Sequence, residues 1–225
     1  MRYLLALVAL VAGLGSFAAA QGQRDWTATV TKAPNGSYVL GNPKAKVKLV
    51  EYISYTCPHC AHFIAESASG LRGRLVRSGS TSVELRNAVR DKLDLTAALL
   101  ARCSGPARFF GTTDAIMAAQ NDWLERGGQY EAVNGARMAT YPQPAQLRAL
   151  ADGSGLSALV RGRGMTDAAI EACLANEAEV AVVVKNTSAS WAKIHGTPAF
   201  EVNGKTVDTT EWVELEKSLR AAGAR

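Results

Sequence analysis

Beyond its first twenty residues, the sequence lacks an apolar run near the roughly 18 residues that a membrane-spanning helix needs. It also lacks a basic block, because its 25 lysine and arginine residues are scattered among 20 acidic ones, for a net charge of +5. Internal repeats and low-complexity stretches are absent as well. These absences argue against a membrane span, a nucleic-acid-binding surface and a repeat architecture. A hydrophobic content of 48% is sufficient for a globular core.

The one long apolar run lies at the start and has the order of a secretory signal peptide. Arg2 precedes an apolar stretch that ends at Leu14, and small residues follow as far as Ala20. A charged start, an apolar middle and a small-residue cleavage site define such a segment. We predict that residues 1–20 are a cleaved signal peptide and that the mature protein begins at Gln21, outside the cytoplasm.

Cysteine is also sparse, with four residues in the chain: Cys57, Cys60, Cys103 and Cys173. An even number of cysteines in an oxidising compartment indicates two pairs. The compartment favours a structural disulfide between Cys103 and Cys173 over two free buried thiols.

The segment Cys57-Pro58-His59-Cys60 follows the apolar run 47–53 and opens a helical pattern. At a helix start, unpaired backbone N–H groups and the helix dipole favour a thiolate. Pro58 suits the first helical position, and His59 can add a donor or a positive charge beside Cys57. We therefore predict an exposed, reactive Cys57, an inward-facing Cys60 and an oxidising disulfide.

A static disulfide or a metal-binding pair is the alternative reading of these cysteines. A four-ligand zinc site would usually need a second cysteine pair nearby, and a c-type haem would need histidine after Cys60, where Ala61 stands. His59 and His62 could together bind copper or zinc, but a solvated helical histidine is the simpler interpretation of His62. We predict no metal and no bound cofactor.

Apolar periodicity predicts an α/β chain in which a helical block interrupts the order of strands. The predicted strands are a hairpin at 26–30 and 38–40, then 45–52, 82–89, 199–202 and 205–207, the last two joined by Asn203-Gly204. The predicted helices are one from Pro58, a block over 93–191 with breaks at 104–106, 127–128, 141–144 and 162–164, and one from Thr210.

Three more local patterns make specific predictions. Asn176, with Glu179 three residues later, predicts a capped helix start. Trp123 and Trp191 have apolar neighbours and are predicted to lie in the core. The buried face predicted for the helix from Pro58 consists of Cys60, Phe63, Ile64, Ser67, Leu71 and Leu75.

Two segments carry a family resemblance: residues 51–60, EYISYTCPHC, and residues 196–205, GTPAFEVNGK. With them, the chain resembles the periplasmic thiol:disulfide oxidoreductases of the DsbA type over most of its mature length. The resemblance implies a thioredoxin fold, a mixed central sheet flanked by helices, with a large helical insertion. The thioredoxin-like domain would comprise 21–92 and 192–225, and the inserted domain 93–191.

The resemblance also assigns roles to residues. It implies that Cys57 is the attacking cysteine, that Cys60 is its buried partner, and that Pro58 and His59 tune the potential.

At the far end of the chain, the resemblance implies that Pro198 forms a cis-proline loop against the disulfide and that Thr197 contacts the substrate backbone. Thr197 replaces the apolar residue of the best-known members, and threonine is also common there in isomerase and reductase relatives. Glu51 matches the buried acid beneath the disulfide and could accept the proton of Cys60. A Cys103–Cys173 pair resembles the extra disulfide of some relatives.

The function predicted from these observations is that of a protein dithiol oxidase acting on reduced, unfolded polypeptides in the periplasm. The resemblance implies a quinone-coupled membrane protein that reoxidises it. A disulfide isomerase or reductase of the same fold is the first alternative. A metal-handling thiol protein or a holdase for unfolded chains is the second.

Overall fold

A computed structural model of the protein describes residues 24–225. The predicted signal peptide and the predicted mature terminus at Gln21 lie outside these residues. Within them, the strands are β1 (Val30–Lys32), β2 (Tyr38–Gly41), β3 (Val47–Ile53), β4 (Thr81–Asn87), β5 (Ala199–Val202) and β6 (Lys205–Val207). The α-helices are α1 (Pro58–Gly70), α2 (Lys92–Cys103), α3 (Pro106–Ala118), α4 (Gln120–Met138), α5 (Gln143–Ser154), α6 (Leu156–Arg161), α7 (Asp167–Leu174), α8 (Glu177–Trp191) and α9 (Trp212–Ala221).

The strands form one mixed sheet in the order β1-β2-β4-β3-β5-β6. β3 lies inside the sheet, parallel to β4 and antiparallel to β5. The remaining pairings are antiparallel. The connection β3-α1-β4, followed after a helical segment by β5-β6-α9, is the thioredoxin fold with the predicted helical insertion.

Helix α1 packs on the sheet through the face that its spacing predicts, since all six predicted positions are buried. The ring of Phe63 stacks on Phe200 of β5 at 4.5 Å and lies 6.5 Å from Trp212 of α9. Beyond Gly70, a π-helical turn over Leu71–Val76 continues the helix. This packing fixes the start of α1, where the two cysteines lie, relative to β5.

The insertion runs from α2 to α8 and shares the apolar core of the sheet. Asn176 caps α8 by accepting the N–H of Glu179, as predicted. Trp123 is fully buried, also as predicted. A disulfide joins Cys103 at the end of α2 to Cys173 in α7, with Cα atoms 5.8 Å apart.

Three predictions of local structure are wrong. Trp26–Ala28 forms a short 3-10 helix instead of strand, because the carboxylate of Asp25 accepts the N–H of Thr27. Helix α4 passes through Gly127-Gly128 without a break, and a side chain at Gly127 would collide with Leu93. Trp191 is only partly buried, and its indole N–H donates to the carbonyl of Val89 at 3.1 Å.

No helix in the span 24–225 is both long and apolar enough to cross a lipid bilayer.

Candidate active site

Cys57 lies at the N-terminal cap of α1, four residues beyond the end of β3. Its backbone is extended, with φ −95° and ψ 115°, and Pro58 occupies the first turn of the helix. The N–H of Cys57 donates to the carbonyl of Ser54 at 3.2 Å, which closes a turn between strand and helix. The sequence thus presents the sulfur at the end of an inner strand, where the sheet and the helix hold it in place.

Cys57 and Cys60 are both thiols in this structure. The thiol of Cys60 donates to the sulfur of Cys57, and this contact is the largest influence that lowers the pKa of Cys57, to about 5. The side chain of Thr197 and the backbone N–H groups of Cys60 and His59 act in the same direction, while burial opposes them. The donors therefore stabilise a thiolate that burial alone would disfavour.

Cys60 behaves in the opposite way. It is fully buried, and desolvation, followed by the neighbouring Cys57, raises the pKa of its thiol far above the usual range. The backbone N–H of Ser54 opposes that rise. The thiol of Cys57 therefore ionises more readily than that of Cys60, as a nucleophilic cysteine requires, and the roles expected of the two residues remain predictions.

The prediction that Cys57 is exposed is wrong, because only 3% of its surface is accessible. The loop at Thr197 covers it, and the sulfur lies 3.1 Å from the carbonyl oxygen of Thr197. Pro58 and the imidazole of His59 are exposed instead. His59 reaches Cys57 through its backbone N–H, so the contribution of His59 to the stability of the thiolate comes from its main chain.

The Thr197–Pro198 peptide bond is cis. A surface groove of about 430 Å³ lies beside it, lined by residues 193–199 and 206–210. The groove runs from the end of α8 to the segment after β6. Thr197, which lines this groove, also contacts the sulfur of Cys57 through its carbonyl oxygen.

Glu51 points from β3 into the interior with Leu49 and Ile53 on the same face, and it is 1% exposed. Desolvation raises the pKa of its carboxyl to about 7, with Arg72 lowering it and Asp114 raising it. Among residues 24–225, its Oε1 has no hydrogen-bond partner. A buried, easily protonated carboxyl is suited to proton exchange, and its action on Cys60 remains a prediction.

Sequence reasoning missed the polar side chains that hold the loop between β3 and α1. Gln120, at the start of α4, donates to the carbonyls of Tyr55 at 2.7 Å and Cys57 at 2.9 Å. Asp94 and Arg90 bind the other polar groups of the loop. All three residues lie in the insertion or just before it. In the sequence, Asp94 and Gln120 look like ordinary capping residues, because acids and amides are common near helix starts.

Within residues 24–225, the group of three potential metal ligands that contains His62 does not include His59. His62 lies instead with Glu66 and Glu211, and one potential ligand atom from each residue lies within 4.8 Å of the others. All three side chains are exposed, and His62 Nε2 is 4.0 Å from a carboxylate oxygen of Glu66. An i,i+4 pair at a helix surface accounts for this arrangement.

The strand-to-helix position of the pair, the difference between the two thiols and the adjacent cis-proline loop are suited to thiol–disulfide exchange. The sequence profile described as thioredoxin matches residues 33–221. The chain therefore belongs to the thioredoxin family.

Two proteins with similar sequences carry provisional names that describe thiol–disulfide chemistry. A protein of Rickettsia conorii, provisionally named a protein-disulfide oxidoreductase, is 30% identical over 175 residues, covering 77% of this chain and 55% of the relative. A Rickettsia typhi protein with the same provisional name is 29% identical over 180 residues, covering 79% of this chain and 58% of the relative. The chain thus spans little more than half the length of these curated relatives.

Among solved structures, a protein-disulfide isomerase from Novosphingobium aromaticivorans is similar with a TM-score of 0.75 and 34% identity, covering 81% of this chain and 95% of that chain. The α-DsbA1 protein of Wolbachia pipientis is similar with a TM-score of 0.67 and 20% identity, covering 84% of this chain and 92% of that chain. These structural similarities agree with the predicted thioredoxin fold.

Proposed function

We propose that the protein is a thiol–disulfide oxidoreductase that introduces disulfide bonds into polypeptides in the periplasm through Cys57 and Cys60. The observation that carries this proposal is the lowered pKa of Cys57, to about 5, beside a buried partner whose pKa is raised. Stabilising the thiolate stabilises the reduced protein, and this makes the disulfide a stronger oxidant. The predicted signal peptide at residues 1–20 supports action outside the cytoplasm.

In the proposed reaction, the protein starts with a Cys57–Cys60 disulfide. A substrate thiolate attacks the sulfur of Cys57, a new S–S bond forms, and the electron pair of the broken bond leaves on Cys60. A second substrate thiolate then attacks the substrate sulfur of this mixed disulfide, and Cys57 leaves as a stabilised thiolate. The substrate loses two electrons and the protein gains them.

The other proposed roles follow from the same site. The groove beside Thr197 and Pro198 accommodates the extended, unfolded substrate. The proposed thioredoxin-like domain, residues 21–92 and 192–225, carries the site. Residues 93–191 form an inserted domain. Glu51 accepts the proton of Cys60 when the disulfide is restored. A quinone-coupled membrane protein supplies the oxidant for that step.

A second candidate is a disulfide isomerase, in which the thiolate of Cys57 attacks an incorrect substrate disulfide. Two observations favour it: the 34% identical structural neighbour described as a protein-disulfide isomerase, and threonine at position 197. The lowered pKa of Cys57 serves either direction of exchange.

The reduction potential separates the two candidates. Mature protein is equilibrated in graded glutathione buffers, its thiols are trapped by alkylation, and the Cys57–Cys60 peptide is scored by mass. A value near about −120 mV supports the oxidase, one near about −180 mV the isomerase, and one near about −270 mV overturns the oxidase proposal in favour of a reductase. Oxidation of a reduced protein and repair of a scrambled one are assayed in parallel.

A Cys57→Ser, Cys60→Ser double variant tests the binding alternatives. The proposal expects this variant to lose both activities. If it still suppresses aggregation of an unfolded protein as well as the parent does, and the parent shows no exchange, the holdase alternative replaces the proposal. Zinc or copper retained at one ion per chain by the parent alone would favour a metal-handling protein.

A further inference from the structure

The loop from Ser54 to Cys57 is held by side chains that belong to the insertion or lie just before it. Asp94, in the first turn of α2, is fully buried. One of its carboxylate oxygens accepts the N–H of Tyr55 at 2.8 Å, and the other accepts the hydroxyl of Ser54 at 2.6 Å. A single buried carboxylate thus binds two successive residues of the loop that leads to the nucleophile.

Arg90 supports this carboxylate from the other side. Its backbone N–H donates to Asp94 at 3.0 Å. Its guanidinium donates to the hydroxyl of Ser54 at 3.1 Å and to the carbonyl of Thr56. Burial raises the pKa of the Asp94 carboxyl to about 6, and the Ser54 hydroxyl and the backbone N–H groups of Tyr55 and Arg90 oppose that rise. The network therefore orders the loop by charge-assisted hydrogen bonds, which are stronger than neutral ones.

Ser54 connects this network to both cysteines. Its carbonyl accepts the N–H of Cys57 at 3.2 Å, and its backbone N–H lowers the pKa of the Cys60 thiol, which is the effect of a donor that faces the sulfur. When a thiolate attacks the disulfide at Cys57, negative charge develops on Cys60. The Ser54 N–H is a preorganised donor at the atom where that charge appears, and such donors stabilise the transition state.

We propose that Asp94 is a positioning residue for thiol–disulfide exchange: by binding Ser54 and Tyr55, it holds the Ser54 N–H against the sulfur of Cys60 and so speeds the departure of Cys60 as a thiolate. In this step the attacking sulfur bonds to Cys57, the Cys57–Cys60 bond breaks with its electron pair on Cys60, and Cys60 then takes a proton from water. The inference rests on the proposed function.

The test is the rate of mixed-disulfide formation between the oxidised protein and glutathione, a small thiol that minimises the contribution of the peptide groove. Asp94→Asn replaces one carboxylate oxygen with an NH₂ group and should slow the step about tenfold, since a hydrogen bond to a charged group is lost. Ser54→Ala removes the hydroxyl but keeps the N–H, leaves α2 intact, and should slow it severalfold. It serves as the second variant if Asp94→Asn folds poorly.

Two controls separate positioning from general destabilisation. Asp152→Asn removes a carboxylate of α5 that pairs with Arg148 at the surface, and Val160→Ala opens a cavity in the buried core of α6. Both should react at the parental rate. If Asp94→Asn and Ser54→Ala react no more slowly than Val160→Ala, the inference is overturned.

The same measurement distinguishes failure of the inference from failure of the proposed function. If the parent exchanges with glutathione but has a reductase-like potential, the oxidase proposal fails, and the variants still decide the role of Asp94. If the parent is an oxidase and the variants match it, only the role of Asp94 is overturned. A parent that does not exchange with glutathione overturns both.

Discussion

The sulfur of Cys57 lies 3.1 Å from the carbonyl oxygen of Thr197, although 140 residues separate the two in the chain. Antiparallel pairing of β3 with β5, with Tyr52 opposite Ala199, brings them together. The carbonyl accepts the thiol proton and so favours the protonated form. The thiolate depends instead on the donors of Cys60, His59 and the Thr197 side chain.

A proline at position 59 should raise the pKa of Cys57. His59 donates its backbone N–H to this sulfur, and proline removes that donor while remaining compatible with the first turn of a helix. We expect the pKa of Cys57 in His59→Pro to be about one unit above that in His59→Ala, which keeps the N–H. Thiolate absorbance at 240 nm gives both values. Equal values in the two variants would show that the main-chain donor is unimportant.

Reduced protein should gain stability relative to a Cys57→Ser variant as the pH rises from 5 to 7. The pKa of Cys57 is lowered from 9.0 to about 5 on folding, so its contribution is fully present above pH 9 and is lost as the pH falls through 5. Between pH 5 and 7, the free energy of unfolding should rise by about 2 kcal/mol relative to Cys57→Ser.

Urea unfolding under reducing conditions measures this difference. The pKa of Cys60 is raised, so Cys60 remains protonated in both states across this range. A difference between parent and Cys57→Ser that is independent of pH would contradict the thiolate assignment.

Glu51→Gln should become relatively more stable as the pH rises. The pKa of Glu51 is raised from 4.5 to about 7, chiefly by burial. Its favourable contribution is therefore present below pH 4.5 and lost as the pH rises through 7. From pH 4 to pH 8, the parent should lose up to about 3 kcal/mol of stability relative to the variant.

Oxidised protein is used for this measurement, so that Cys57 does not titrate. Glu131→Gln at an exposed position serves as the matched control and should show no such trend. If the parent and Glu51→Gln change in parallel with pH, the carboxyl is ionised normally in the interior.

Removing the second disulfide should lower stability without removing exchange chemistry. Cys103 and Cys173 are 70 residues apart in sequence, and opening a loop of that length costs about 4 kcal/mol in the chain-entropy model. A Cys103→Ala, Cys173→Ala variant should show this loss in urea unfolding and still exchange with glutathione through Cys57. A loss below about 1 kcal/mol would show that helix packing alone holds α2 and α7 together.

Much of the fold could be predicted because its signals are local. The buried face of α1, the cap at Asn176 and the Asn203-Gly204 turn depend on residues within a few positions of each other. Gly127 does not break its helix as predicted, because its lack of a side chain serves contact with Leu93 on another helix. Contacts between distant elements leave no periodic trace in the sequence.

The same distinction applies to the candidate site: its local features could be predicted from the sequence, and its contacts between distant residues could not. The spacing of Cys57 and Cys60 predicted a reactive pair, since two thiols at a helix start have a direct chemical meaning. The burial of Cys57 and the roles of Asp94 and Gln120 were missed, because they depend on contacts between parts of the chain 39 to 140 residues apart. Polar residues at helix starts have many uses, and the sequence does not say which one applies.

The position of β5 near the end of the chain has a consequence for biosynthesis. A polypeptide that emerges N-terminus first can form the part of the sheet that contains the first four strands, in the order β1-β2-β4-β3. β3 then remains an open edge until β5 (Ala199–Val202) has been synthesised. An open strand edge invites pairing with other chains. The nascent protein should thus pass through a stage at which the edge of β3 needs protection from aggregation, before Thr197 and Pro198 are in place beside Cys57.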